Sequence, residues 1–389
     1  MIAITIIISI TYFLLIFFFI LGFYRIREFK SGDSIESLGF SIVIPFRNEV
    51  ENLPKLLKSI SQLNYPKDKF EIILVNDDSN DGSVGIIEKY KDLNSKSATS
   101  CPSADQQAGG FRMSIINNVQ KSNSPKKDAI DIAIKKANFN WIITTDADCI
   151  VPSNWLNILN DFIESQEPKM VVMPVSYNVD SSILDRFQIL ELLSLQGATM
   201  GGFGIKYPFL CNGANLCYDK KCFLELEGFS GNDNIASGDD IFMLEKMVKK
   251  YPDKVKYLKS RNVIVKTKTE DQFSALVNQR IRWATKSTST NNLFGKLVGL
   301  VVLLMNFWVV ILLVLTITNV IIWQFLAFTF IIKFLIDLLL LLPSAFFFKQ
   351  QKTLRNYFIS SFLYPFYNTF IAILTLKRSY EWKGRKFSK

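Results

Sequence analysis

Trp141-Ile-Ile-Thr-Thr-Asp-Ala-Asp148 sets a short apolar, β-branched run directly against two carboxylates. Its length and branching are those of a buried strand. The pattern has precedents upstream. Phe40-Ser-Ile-Val-Ile-Pro45 is a similar run that ends at proline, and Phe70-Glu-Ile-Ile-Leu-Val75 leads into Asn76-Asp-Asp-Ser-Asn-Asp-Gly82. Met113 to Val119 reads as a further strand. Between these runs, Glu49 to Leu63 places Leu53, Leu56, Leu57, Ile60 and Leu63 at helical spacing. Ile86 to Leu93 and Lys126 to Ala137 also read as helices, and Asn94 to Gly110, rich in Ser, Ala, Gln and Gly, as a loop. Strands that alternate with helices predict an α/β fold with a mostly parallel sheet. Ligands of such sheets bind beyond the carboxyl ends of the strands, which is where Asp77, Asp78, Asp146 and Asp148 fall.

The two ends of the 389-residue chain differ from this middle. Mean hydropathy is positive, and many of the 33 Phe lie near the termini. Met1 to Tyr24 carries no charge, and at about 1.5 Å per helical residue it spans a hydrocarbon core of about 30 Å. With no basic segment before it and no small-residue cleavage site after it, residues 1–24 read as a retained anchor rather than a signal peptide. Residues 297–376 supply further membrane segments, at about 297–318, 322–348 and 356–376. Lys333 and Asp337 are four apart on one helical face and read as a structural pair. Arg25, Arg27 and Lys30 follow the anchor, which places the middle domain, residues 39–290, in the cytosol. The basic tail, residues 377–389, also belongs there. A third full crossing would put it outside, so 356–376 is expected to dip in and return, or to lie at the interface, bent at Pro365.

The net charge of +10 is concentrated beside apolar segments. It suits anionic lipid headgroups better than nucleic acid. There is no His, and the five Cys form no CxxC pair, which excludes a zinc site and His-based catalysis.

Several polar clusters carry candidate chemistry. Asp146 and Asp148, at i and i+2 of an extended segment, point the same way and suit one hard cation, Mg2+ or Mn2+. Asp77 at a strand end is placed to accept hydrogen bonds from a base or ribose, whereas Ser79 to Asp81 reads as turn and helix cap. Lys126-Lys127 opens a helix, where either a phosphate partner or a solvated pair accounts for two lysines. Gly238-Asp239-Asp240 precedes an apolar helical run. Asp240 is the candidate general base and Asp239 a weaker one. Gln279 and Arg282 share a helix face in a helix expected from Asp271. The guanidinium suits diphosphate oxygens, and Trp283 offers an apolar face to a sugar. Phe187 to Phe203 is an apolar stretch inside the middle domain that reads equally as a membrane-surface helix or a core helix.

Taken in order, Ser41-Ile-Val-Ile-Pro-Phe-Arg-Asn-Glu49, Val75-Asn-Asp-Asp-Ser-Asn-Asp-Gly82, Pro125-Lys-Lys-Asp-Ala129, Asp146-Ala-Asp148, Gly238-Asp-Asp240 and Gln279…Arg282-Trp283 resemble glycosyltransferase family 2. The resemblance covers about Phe40 to Ser287. It implies a GT-A fold and transfer of a sugar from a nucleoside diphosphate, a UDP-sugar by preference, with inversion. Asp240 would take the acceptor's proton. Pro45, Glu49, Asp77, Lys126, Asp146, Gln279 and Arg282 would hold the nucleotide-sugar, Asp148 and Asp146 the metal, and Trp283 and Asp239 the acceptor. Two positions depart from the family pattern: Asn76 stands where an acidic residue is usual, and Asp239 where Glu is usual. The Gln-x-x-Arg-Trp element occurs both in processive synthases and in enzymes that glycosylate lipids. The short C-terminal membrane region and the Glu381-Trp-Lys-Gly-Arg385 tail favour single transfer to a lipid or lipid-linked acceptor, in a bacterial inner (plasma) membrane. A processive polysaccharide synthase and a catalytically inactive membrane scaffold are the competing readings.

Overall fold

The computed structural model describes residues 1–32, 35–97, 110–178, 182–232, 235, 237–377 and 380–387. Most of the expected loop between Asn94 and Gly110 lies outside them. The chain divides into two compact units, one of residues 28–175 and 211–268, the other of residues 1–27, 176–210 and 269–389.

The first unit is built on a seven-stranded sheet. Its strands are β1 (Phe40–Phe46), β2 (Phe70–Asn76), β3 (Arg112–Asn117), β4 (Trp141–Thr144), β5 (Met170–Val172), β7 (Leu216–Asp219) and β8 (Val255–Tyr257), in the order β3-β2-β1-β4-β7-β5-β8. Two further short strands are β6 (Val175–Tyr177) and β9 (Val265–Thr267). β3, β2, β1 and β4 are mutually parallel, and β7 runs antiparallel to both β4 and β5. β2 and β4 are almost wholly buried. Burial on both faces is why these runs read as continuously apolar rather than alternating.

Helices α2 (Leu53–Ser61), α3 (Ser83–Ser97), α4 (Pro125–Lys136) and α5 (Trp155–Gln166) precede β5 in this unit, and α7 (Lys220–Glu225) and α8 (Asp239–Lys250) follow β7. All five apolar positions expected to face inward from α2 are buried: Leu53, Leu56, Leu57, Ile60 and Leu63. The helix begins at Leu53, later than the expected start at Glu49. Pro54 occupies its first turn, and Glu49 to Asn52 form a tight turn in which the Glu49 carbonyl accepts from Asn52 and Leu53.

The second unit is helical: α1 (Ile2–Arg25), α6 (Ile183–Gly204), α9 (Phe273–Ser289), α10 (Leu293–Ile317), α11 (Trp323–Phe347) and α12 (Tyr357–Lys377). Among the described residues, Ile2–Arg25, Leu293–Ile317, Trp323–Phe347 and Gln351–Leu376 are long and apolar enough to cross a membrane. α1 and α6 meet backbone to backbone. A Cβ on Gly204 would stand 1.9 Å from the Gly22 carbonyl oxygen, and one on Gly201 2.6 Å from that of Phe19. Small residues permit this approach where membrane helices cross. Lys333 and Asp337 form the expected pair at 2.6 Å, and the Tyr12 hydroxyl donates to the same carboxylate.

Three features differ from the sequence expectations. First, Phe187 to Phe203 lies in α6 and packs with the membrane-length helices, and α9 lies in the same unit, so residues 176–210 and 269–290 separate from the rest of 39–290. The glycine-lined contact with α1 is the physical reason for α6. Second, 356–376 does not turn back on itself. α12 is unbroken, with Pro365 inside it. Third, the basic tail forms a small antiparallel hairpin, β10 (Tyr380–Trp382) with β11 (Arg385–Phe387), turning at Lys383-Gly384, both with positive φ.

Candidate active site

The strand register brings the polar clusters to one rim of the sheet. Phe46 pairs with Asn76 and Asn76 with Asn117, while Val43 pairs with Thr144, so these strands end side by side. The main chain continues the ladder: the Asp77 amide donates to Phe46 and the Thr145 amide to Val43.

After β2 the chain turns sharply. Asp78 and Gly82 have positive φ, as does Asn48 in the facing loop. Arg47 donates to the carbonyls of Asp77 and Asp78 at 2.7 and 3.0 Å, tying the β1 and β2 loops together. Ser79 and Asp81 act as turn and cap residues, accepting from the amides of Asn48 and Val50. Asp77 is buried, and its carboxylate accepts from Asn118 at 2.9 Å. Glu49 is buried too. Its amide donates to Ser83 and its carboxylate accepts from Asn52 at 2.6 Å. Pro45, part of β1, pairs in register with Val75.

The two lysines that open α4 diverge. Lys126 reaches the Asp146 carboxylate at 2.7 Å and that of Asp239 at 3.4 Å. Burial alone lowers its pKa, but the Asp146 and Asp239 carboxylates more than offset that and raise it above the ordinary lysine value. Lys127 is neither solvated nor turned toward the acidic rim. It is buried, donates at 2.8 Å to the carbonyls of Asn232 and Ile235, and lies 4.6 Å from the centre of the Phe242 ring. It therefore holds the segment that leads into Asp239 and Asp240.

Asp239 and Asp240 form the first turn of α8, behind Gly238 in the left-handed conformation. Asp240 is buried. One carboxylate oxygen accepts from the Ile241 amide at 2.8 Å and the other from the Gly213 amide at 3.3 Å. Gly213 is a crowded position: a Cβ there would lie 3.1 Å from the Asp239 carboxylate and 3.7 Å from Lys126 Nζ. Asp148 accepts from the Thr267 hydroxyl at 3.0 Å. Thr267 and Asn118 do not stand out in the sequence. Gly213 alone leaves a signal, in the turn-forming Asn212-Gly-Ala-Asn215.

Among the described residues, no three acidic or thiol side chains converge into a self-sufficient metal cage. Asp146 and Asp148 nevertheless fit Mg2+ or Mn2+, which commonly take one or two protein carboxylates and complete their shell with phosphate oxygens and water. Asp146 already holds a cation, the Lys126 ammonium.

Gln279, Arg282 and Trp283 lie on α9 in the helical unit. Gln279 donates to Glu270 at 2.8 Å. Their neighbour Arg280 is buried against Glu191 at 2.7 Å and stacks 4.1 Å over Trp283. Arg280 is thus a buried, paired cation of this helix.

Residues 41–217 match glycosyl transferase family 2, and residues 141–371 match glycosyl transferase family group 2. The chain belongs to this family of glycosyl transferases. It is 24% identical over 247 residues to poly-beta-1,6-N-acetyl-D-glucosamine synthase of Staphylococcus epidermidis, a match that covers 63% of this chain and 54% of that protein. It is 25% identical over 134 residues to poly(ribitol-phosphate) beta-N-acetylglucosaminyltransferase TarS of Staphylococcus aureus, covering 34% of this chain and 20% of that protein. The chain thus spans about half the length of the first relative, 54%, and a fifth of the second, 20%. Among solved structures, a mannosyltransferase from Pyrobaculum calidifontis in complex with GDP-Man and Mn2+ superposes with a TM-score of 0.56 at 12% identity, covering 96% of this chain and 98% of that one. The expected GT-A fold, with its mostly parallel sheet and flanking apolar helices, is borne out.

Proposed function

We propose that the chain transfers a sugar from a nucleoside-diphosphate sugar to a lipid or lipid-linked acceptor in one inverting displacement. The observation that carries this reading is the placement of Asp240. Its carboxylate is buried, oriented by the Gly213 and Ile241 amides, and belongs to the same cluster as Asp239, Lys126 and Asp146. In a chain without histidine, a fixed carboxylate is the natural acceptor of the proton from an attacking hydroxyl.

The rest of the rim suits the donor. Pro45 near the end of β1, with Glu49 and Asp77 in the loops that follow β1 and β2, would receive the nucleoside, and Asp77 is braced by Asn118. Lys126 presents a persistent positive charge for phosphate oxygens. Gln279 and Arg282 are assigned to the diphosphate, and Trp283 and Asp239 to the acceptor. Asp146 and Asp148 would hold Mg2+ or Mn2+, which when bound neutralises charge on the departing diphosphate. The GDP-Man and Mn2+ bound to the superposed mannosyltransferase support a nucleotide-sugar and a divalent metal here. The membrane-length helices support an acceptor drawn from the bilayer. The basic residues after α1 support a cytosolic catalytic domain in a bacterial plasma membrane.

A processive reading is favoured by one observation, the likeness to a polysaccharide synthase. Product length separates the two. Membranes containing the chain are incubated with UDP-N-acetylglucosamine, UDP-glucose and GDP-mannose, and the lipid extract is analysed by mass. A single sugar added to a lipid supports the proposal. A ladder of polymer supports the synthase, and no sugar transfer from any donor in the presence of Mg2+ or Mn2+ contradicts both.

A further inference from the structure

The helical unit contains a groove of about 640 Å3, formed by the start of α6, the start of α9 and one side of α12. Ile183, Phe187, Phe273, Ile359, Leu363 and Phe370 line it. Several of these are open to the outside: Ile183 is 72% exposed, Phe273 54% and Ile359 55%. Bulky side chains are left this bare in a concave surface when something apolar fills it.

The polar features of the groove are few and specific. Tyr367 lines it, and its hydroxyl is buried and meets no hydrogen-bond partner among the described residues. A buried hydroxyl left unpaired is costly. Asn356 lines the groove as well, and its side-chain amide oxygen accepts from the Arg186 guanidinium at 3.1 Å. Arg186 has no carboxylate partner among the described residues. The short turn that ends at Asn356, Gln351–Asn356, adds Lys352 and Arg355, both exposed. The site therefore joins a hydrocarbon-lined trough to the Arg186 guanidinium held at Asn356. A guanidinium with free donors is well matched to phosphate oxygens.

We propose that this groove binds an anionic membrane lipid, its hydrocarbon chain in the trough and its phosphate against Arg186. The proposal rests on the reading of α12 as membrane-embedded and is independent of sugar transfer. The lipid that merely surrounds any membrane helix would show no dependence on one guanidinium.

The full chain is reconstituted in nanodiscs of equal phosphatidylglycerol and phosphatidylcholine, released, and its retained lipid read by native mass spectrometry, with no sugar donor present. Wild type is expected to retain phosphatidylglycerol in preference. Arg186→Gln is expected to lower that preference about tenfold, the loss of one charge-assisted hydrogen bond. Leu363→Trp, which fills the trough, is expected to reduce retention of phosphatidylglycerol while nucleotide binding stays unchanged. Wild type holding both lipids equally, or Arg186→Gln keeping the wild-type preference, overturns the proposal. Because no donor is added, its failure leaves the transfer reading untouched, and a chain inactive in transfer can still pass this test.

Discussion

Lys126 and Asp146 meet at 2.7 Å on the rim of the sheet, and the same ammonium lies 3.4 Å from Asp239. One cation thus joins the carboxylate after β4 to the pair that opens α8. Replacing Lys126 with Met leaves these carboxylates facing each other without it. Affinity for a nucleoside diphosphate should fall about tenfold, as expected for one lost charge-assisted contact. Isothermal titration of the purified chain measures it, and unchanged affinity would restrict Lys126 to neutralising Asp146. The pH dependence has a definite sign. Because the folded-state pKa of Lys126 is raised, its stabilising contribution is complete below the unfolded lysine value and is lost only as pH rises through the higher folded value. The difference in melting temperature between wild type and Lys126→Met should therefore stay constant from about pH 6 to about pH 9.

Lys127 acts at one remove. Its two bonds to the Asn232 and Ile235 carbonyls fix the approach to Asp240. Lys127→Met should lower kcat by about 10- to 100-fold through misplacement of the base, while KM for the donor changes little. Steady-state kinetics separate the two parameters, and partial rescue by Lys127→Arg distinguishes positioning from general unfolding. A rise in donor KM with unchanged kcat would point to direct contact with the nucleotide instead.

Lys259 gives a pH signature of opposite sign. Burial lowers its pKa to about 8, against a smaller opposing effect of Glu28. Between that value and the ordinary lysine range, the unfolded chain binds more protons than the folded one, so stability rises with pH across this interval. Wild type should gain in melting temperature relative to Lys259→Met between about pH 8 and about pH 10. Parallel curves for the two proteins would show that Lys259 stays charged in the fold.

The crossing of α1 and α6 depends on glycine at specific places. Gly204→Ala puts a Cβ 1.9 Å from the Gly22 carbonyl oxygen, too close for any rotamer to relieve. The helices must separate, and overpacking of this kind costs about 1–3 kcal/mol. A Cβ on Gly299 in α10 would meet nothing within 4 Å, so Gly299→Ala is the matched control. Thermal unfolding in detergent should show a loss for Gly204→Ala and none for Gly299→Ala. Equal behaviour of the two would mean that the close crossing is not needed for stability.

The sheet and its acidic rim were legible because both are local signals. A β-branched run ending in Asp-Ala-Asp announces a strand and its polar end within a few letters, and the inward face of α2 follows from spacing alone. Long-range partners leave no such trace. Thr267 reaches Asp148, and Gly213 reaches Asp240, only through folding of the intervening chain. The division of labour between Lys126 and Lys127 was hidden for the same reason, since adjacent helix positions point to different sides. The assignment of α6 was ambiguous in sequence because its apolar residues lie all around the helix. Gly201 and Gly204 resolve it only once Phe19 and Gly22 of α1 are opposite them. Pro365 suggested a break that α12 does not show, because one missing amide bond is tolerated inside a long helix held by its neighbours.

The most direct test of the catalytic assignment is Asp240→Asn in the full chain, reconstituted in nanodiscs with lipid extract, a radiolabelled nucleotide-sugar and Mg2+ or Mn2+. The substitution keeps the size of the side chain and removes its ability to take a proton. Nucleotide affinity should stay close to wild type, with no sugar transferred to lipid. Transfer by Asp240→Asn at the wild-type rate would contradict the assignment and place the base elsewhere.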